Sequence, residues 1–147
     1  WRVWFSSGAS WEKANKASGG VGFGMINTDN NQPWYPYFVQ MMLGNSLSIG
    51  DALVESNSSS INLRVLSWFH GGKLTMLLIC RSSQTLAVFL NNVTGAARSC
   101  KIDSTIQWQT ANIQTSDVDL ANPVVMNGYT VLLLQFPWES AESSIFR

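Results

Sequence analysis

The sequence predicts a mainly β protein, an antiparallel β-sandwich preceded by one short helix. From residue 46 onward, apolar segments of strand length recur about every 8 to 12 residues and are separated by turn-forming residues. Segment 61–68 alternates apolar and polar residues, as a half-buried strand does. Hydrophobic residues make up 46% of the 147, so the chain can bury a core. The expected topology is Greek-key-like.

The first part of the chain is rich in aromatic residues and glycine. Val3–Phe5 and residues 21–26 read as short strands. Residues 34–43 predict a helix, because the prolines stand at its beginning and Gly44-Asn45 is a stop signal. This segment is apolar almost all round, which predicts a buried helix.

The rest of the chain predicts a succession of strands joined by tight turns. His70-Gly71-Gly72-Lys73 has the composition of a hairpin turn. Leu74–Cys80 is almost continuously apolar, which predicts a central strand. The other predicted strands are 51–55, 61–68, 85–90, 105–110, 112–115 and 129–136.

Composition excludes several classes of function. Nine basic residues balance nine acidic ones without a basic run, which argues against a nucleic-acid partner. No apolar run reaches the ~18 residues of a membrane span. His70 is the only histidine and there is no CxxC motif, so we expect neither a metal site nor a cofactor.

Only 12% of residues are charged, and a Ser-, Thr-, Asn- and Gln-rich surface is typical of extracellular β proteins. Asn57-Ser58-Ser59 and Asn92-Val93-Thr94 are N-glycosylation motifs, which fit a secreted glycoprotein. Cys80 and Cys100 are then candidates for a disulfide, because Cys80 ends one predicted strand and Cys100 begins another. The alternative is that Cys80 is a buried free thiol.

The order of these segments resembles the C-terminal end of a (β/α)8-barrel glycoside hydrolase that carries an appended β-sandwich. The likeness covers most of the chain. It rests on four stretches of the sequence. Residues 1–5 resemble a terminal barrel strand with its tryptophan, and residues 22–29 with 33–39 resemble the loop leading into the last barrel helix. Residues 42–51 resemble the junction to the sandwich, and residues 127–134 resemble its closing strand.

The resemblance implies that residues 1–45 are the last strand and helix of a barrel, that 46–137 form the sandwich, and that 138–147 are a polar tail. In such barrels the two catalytic carboxylates follow earlier strands, at the C-terminal face. The chain is therefore expected to hold no catalytic residue, and none of its four glutamates has a paired position.

Tryptophans are the candidate sugar contacts, because aromatic faces suit the apolar faces of pyranose rings. Trp4, and secondarily Trp1, are the candidates for polysaccharide binding, with core packing as the alternative. Trp68 is a weaker candidate if it faces outward.

The first hypothesis is a non-catalytic sandwich that stabilises the barrel of a secreted glycoside hydrolase, with that barrel as its partner. One alternative is a free-standing carbohydrate-binding module with exposed tryptophans on one sheet face. Another is a secreted glycoprotein subunit of a surface layer or filament, which forms a homo-oligomer by strand donation.

Overall fold

The computed structural model describes residues 26–27, 32–33, 35–103 and 113–137. The chain forms one helix and ten strands within these ranges. In order they are β1 (Ile26–Asn27), β2 (Gln32–Pro33), α1 (Tyr35–Gly44), β3 (Ala52–Val54), β4 (Leu63–His70), β5 (Lys73–Cys80), β6 (Leu86–Val88), β7 (Ala96–Ile102), β8 (Gln114–Asp119), β9 (Val124–Met126) and β10 (Val131–Pro137).

A six-stranded sheet is the largest element of the fold. Its strand order is β3-β4-β5-β10-β7-β8, and all of its pairs are antiparallel. A second, two-stranded sheet pairs β6 with β9, and β1 pairs with β2. The predicted mainly β, antiparallel fold is confirmed.

The large sheet is covered on both faces, which explains its continuous apolar strands. Alternate residues of a strand point to opposite faces. On one face, Leu78, Leu134 and Phe136 pack with β6 and β9 in the sandwich core. On the other, Leu77 and Leu133 pack with α1 in a second core. β5 and β10 are central because they are apolar on both faces.

The predicted helix is confirmed as α1, ten residues long. Phe38 and Met42, one turn apart, are its buried residues and lie in the second core. The helix ends at Gly44, and the amide of Ser46 donates to the carbonyl of Leu43, which tightens the last turn.

Two glycine sites show why turns fall where they do. Gly71 and Gly72 have φ of 56° and 75°, so the predicted hairpin between β4 and β5 uses conformations that glycine adopts freely. Gly128 lies against the backbone of Ser83, and a Cβ there would approach the Ser83 carbonyl oxygen to 2.3 Å. The loop before β10 therefore has room only for glycine.

Strand β9 was not predicted from the sequence, and the strand expected to begin at Cys100 is β7, which already begins at Ala96. β7 carries Arg98, Ser99 and Lys101, which obscure its apolar alternation, while Ala97 and Ile102 are its buried hydrophobic residues. β9 is three residues long. The predicted strands at Val3–Phe5 and 105–110 lie outside the described residues, as does most of 21–26.

Candidate functional site

The tryptophans predicted to contact sugar divide into two groups. Trp1 and Trp4 lie outside the described residues, and their role stays a prediction. Trp68 is described and is completely buried, so its outward-facing placement is wrong. Its side chain lies under α1 because it shares a face of the sheet with Leu77.

The helix-bearing side of the large sheet leaves apolar surface open. α1 contains no charged residue, and Gln40 is its only side chain with an amide. Four large hydrophobic side chains near the helix or on the same face of the sheet are exposed: Leu47, Ile49, Leu53 and Leu66. Leu53 is placed on this face because it pairs directly with Trp68. We call α1 and these four residues the docking face.

The segment that follows α1 is fixed to the sheet by a buried hydrogen bond. The indole Nε1 of Trp68 donates to the backbone carbonyl of Ser46 at 2.6 Å. The hydroxyl of Ser46 in turn donates to the carbonyl of Met42 at 2.8 Å. One tryptophan thus fixes the end of the helix relative to the sandwich, a contact that no pattern in the sequence predicts.

Asp51 and His70 form a second link at the same end of the fold. Oδ2 of Asp51 lies 2.9 Å from Nδ1 of His70 and accepts the amide of Ser48 at 2.6 Å. The hydrogen bond from the Ser48 amide, followed by that of His70, lowers the pKa of Asp51 below its usual 3.8. The pair joins the segment after α1 to the β4–β5 hairpin.

Acidic and metal-ligating residues are sparse in the described part of the chain. Glu55 is the only glutamate there, and its side chain is exposed. No group of three His, Cys, Asp or Glu residues converges as metal ligands would within residues 35–103 and 113–137. Over the same ranges, no helix has the length and apolar character that a membrane crossing requires.

The predicted disulfide between Cys80 and Cys100 is not formed, and both thiols are free. The two cysteines lie on strands β5 and β7, which flank β10 on opposite sides, and they are three residues out of register, because Cys100 pairs with Leu133 whereas Cys80 is level with Thr130. Two strand spacings across the sheet and about 10 Å along it place their Cα atoms roughly 14 Å apart. Cys80 also packs in the sandwich core and Cys100 in the helix-side core. A bridge needs Cα atoms within about 7 Å and converging side chains. Burial raises the pKa of the Cys100 thiol.

Both asparagines of the glycosylation motifs are exposed. Asn57 lies in the loop after β3, and Asn92 adopts a φ of 63° in the turn before β7. The motif hydroxyl residues Ser59 and Thr94 are exposed as well. The geometry therefore leaves these positions open to an enzyme that modifies exposed loops.

A cleft of about 570 Å³ opens on the sandwich side of the large sheet, opposite the docking face. Its floor is formed by residues of β4 and β5, and its walls by the loop after β3 and by β6 with the following turn. The residues that line it are Val54–Ser60, Leu63, Val65, Ser67, Leu74, Met76, Leu78 and Leu86–Val93. Both motif asparagines lie at this cleft. Sequence analysis did not predict it, because it depends on how distant segments of the chain pack together.

Comparison with known proteins identifies the fold. No protein-family model and no curated protein matches the chain. Among solved structures, the chain is similar to a GH30 endoxylanase from Clostridium papyrosolvens C71, with a TM-score of 0.59 and 12% identity over 76% of this chain. It is also similar to the glycoside hydrolase family 30 subfamily 8 xylanase Xyn30A from Clostridium acetobutylicum, with a TM-score of 0.57, 16% identity and the same coverage. The match spans 30% of the length of each of these chains.

Proposed function

We propose that the chain is the non-catalytic C-terminal part of a secreted glycoside hydrolase and that it stabilises a (β/α)8 barrel. The observation that carries this proposal is the docking face. Beside the charge-free helix, four large hydrophobic side chains are exposed and have no cover among the described residues. A surface of this kind is typical of an interface with another domain.

The structural neighbours support the same assignment. Both are xylanases, and each is more than three times as long as the part that matches this chain. We propose the division expected from the sequence: residues 1–45 complete the barrel, 46–137 form the sandwich, and 138–147 are a tail. The catalytic carboxylates then lie in the barrel, outside this chain.

Three further properties follow from this proposal. The resemblance implies that Trp4, and secondarily Trp1, contacts polysaccharide from a barrel strand. The protein is extracellular, in agreement with its low charge content. Asn57 and Asn92 carry glycans when the protein passes through a glycosylating secretory route, which a mass decrease on enzymatic deglycosylation would reveal.

The first experiment is size-exclusion chromatography of the native material with intact mass spectrometry. We expect the 16.3 kDa chain to co-elute with, or to be part of, a polypeptide that contains the ~250 residues of a barrel. A lone 16.3 kDa species contradicts the proposal. A homopolymer would favour the surface-layer alternative, and retention of the lone species on polysaccharide would favour the binding-module alternative.

Charge substitutions then test the docking face itself. Ile49 and Leu53 are fully and 70% exposed, so Ile49→Glu with Leu53→Glu leaves the fold of this chain intact. We expect this double variant to weaken association with the barrel at least tenfold, because two charges would be buried unpaired. Val125→Glu is the matched control, since Val125 is 62% exposed on β9, in the other layer. Equal association of both variants would place the interface elsewhere.

A further inference from the structure

Asn127 is the only asparagine in the chain that precedes a glycine. Asparagine is one of the thermolabile residues, because the backbone amide nitrogen of the next residue can attack its side-chain carbonyl carbon. Glycine has no Cβ and leaves that nitrogen unhindered. Asn127 is exposed and lies in the loop between β9 and β10, where water reaches its side chain.

The backbone protects two other exposed asparagines from the same reaction. The amide that follows Asn45 belongs to Ser46, which is 2% exposed and donates to the carbonyl of Leu43 at 3.0 Å. The amide that follows Asn62 belongs to Leu63, which is 7% exposed and donates to a backbone carbonyl of the preceding turn at 3.2 Å. A buried, hydrogen-bonded nitrogen must give up its acceptor before it can attack.

Neither form of protection applies to Asn127. The amide of Gly128 makes no hydrogen bond within the described part of the chain, so it can lose its proton to solvent. Asn122, in the turn before β9, is unreactive for another reason, because the next residue is Pro123 and proline has no N–H. Of these four asparagines, Asn127 alone combines exposure with an unhindered and unengaged neighbouring amide.

The loop that contains Asn127 is fixed on both sides. Met126 is completely buried and pairs with β6. The amide of Tyr129 donates to the carbonyl of Ser82 at 2.8 Å, and Gly128 packs against the backbone of the same turn. Attack on the side chain needs rotation of the Asn127 backbone, for which this single hydrogen bond must open, and exposed loops open locally at low cost. A product with a longer main chain would not fit between the two fixed points.

We propose that Asn127 is a site of spontaneous deamidation, which proceeds through a succinimide and opens the loop between β9 and β10. The amide nitrogen of Gly128 attacks Cγ of Asn127 and forms the N–Cγ bond of a five-membered ring. The side-chain nitrogen of Asn127 leaves as ammonia and carries away the proton of the Gly128 amide. Water then adds to one of the two ring carbonyls, and the bond from that carbon to the Gly128 nitrogen breaks.

The two directions of ring opening give two products. Cleavage at Cγ gives aspartate at position 127, and cleavage at the backbone carbonyl carbon gives isoaspartate, whose main chain runs through the side chain and is one carbon atom longer. In the isoaspartate form the loop between Met126 and Tyr129 is too long for the hydrogen bond to Ser82 to form in its place. The reaction uses only this loop and water, so the proposal does not rest on the proposed function.

Peptide mass spectrometry of the aged protein tests the site. The unglycosylated 147-residue chain is incubated in mildly alkaline buffer and digested, and deamidation raises the mass of a peptide by about 1 Da. We expect the peptide of Asn127 to gain this mass at least tenfold faster than that of Asn57, an exposed asparagine before serine. Asn45 also precedes serine and should react more slowly than Asn57 in the native protein, and at the same rate in denaturant, where the Ser46 hydrogen bond is absent. Equal native rates at all three asparagines overturn the proposal, as does an unchanged Asn127 after Asn57 has reacted.

Two variants and amide exchange test the consequence for the loop. Asn127→Gln should abolish the early mass gain and Asn57→Gln should retain it; if Asn127→Gln does not fold, the peptide map of the parent decides alone. In the deamidated protein, the Tyr129 amide should exchange at least tenfold faster than in the parent, with no change at Leu78 in the centre of the sheet. Asn127→Asp carries the same charge without the additional carbon atom and should exchange as the parent does. Unchanged Tyr129 exchange in the isoaspartate form overturns the proposed opening of the loop.

Discussion

Replacement of Trp68 by phenylalanine tests how the helix is attached to the sandwich. The side chain is completely buried and packs with Phe38 and Met42 of α1 in the helix-side core. Its indole also supplies the hydrogen-bond donor for the carbonyl of Ser46, a residue that is 2% exposed. Phenylalanine retains the aromatic packing and removes the donor, so the substitution isolates the contribution of the hydrogen bond to Ser46.

The expected loss of stability has two parts. A buried carbonyl left without its donor costs about 1–3 kcal/mol. The smaller ring leaves a void of roughly 40 Å³, which at ~24 cal/mol per Å³ contributes about 1 kcal/mol. Together they predict that Trp68→Phe lowers the free energy of unfolding by about 2–4 kcal/mol. The amides of α1 should also exchange faster than those of β5, because the helix loses its link while the central strand keeps its pairing.

Urea unfolding followed by circular dichroism measures this loss, with the amide exchange of α1 as a second readout. Leu53→Ala is the matched control, since Leu53 pairs directly with Trp68 but is 70% exposed, and it should change stability by less than about 0.5 kcal/mol. If the free energy of unfolding of Trp68→Phe lies within about 0.5 kcal/mol of that of the parent, and the amide exchange of α1 is unchanged, the hydrogen bond from Trp68 does not hold the helix.

Three other predictions concern the loops and thiols. Asp51 has a folded-state pKa below its unfolded value, so its contribution to stability is present above pH 3.8 and is lost as the pH falls through the lower folded pKa. The difference in stability between the parent and Asp51→Asn should therefore disappear in that acid range, as urea titrations at several pH values would show. Gly128→Ala should destabilise the protein by more than about 2 kcal/mol because of its backbone clash, while Gly44→Ala, with open space at the Cβ, should be neutral or stabilising in thermal unfolding. Cys80 and Cys100 should both react with a thiol reagent in denaturant without prior reduction. A mass lower by two hydrogen atoms that a reductant restores would contradict the two free thiols.

The pattern of neighbouring residues was sufficient to predict the elements that depend on short-range interactions. The helix begins near the prolines and ends at Gly44, as the prolines and the stop signal predicted, and the hairpin turns at Gly71 and Gly72. Leu74–Cys80 was predicted as a central strand because it is apolar on both faces, and it does lie inside the large sheet. Each of these depends on interactions within a few residues of the chain.

The sequence by itself thus determined the class of fold, the helix and the hairpin, because periodicity and turn chemistry act over short distances. Only the tertiary structure decided strand order, which puts β10 between β5 and β7 and so keeps Cys80 and Cys100 apart. It likewise decided that Trp68 is buried under α1 and that β6 borders an open cleft. These properties arise from which distant segments pair, and the alternation of side chains along one strand does not reveal what lies on the strand beside it.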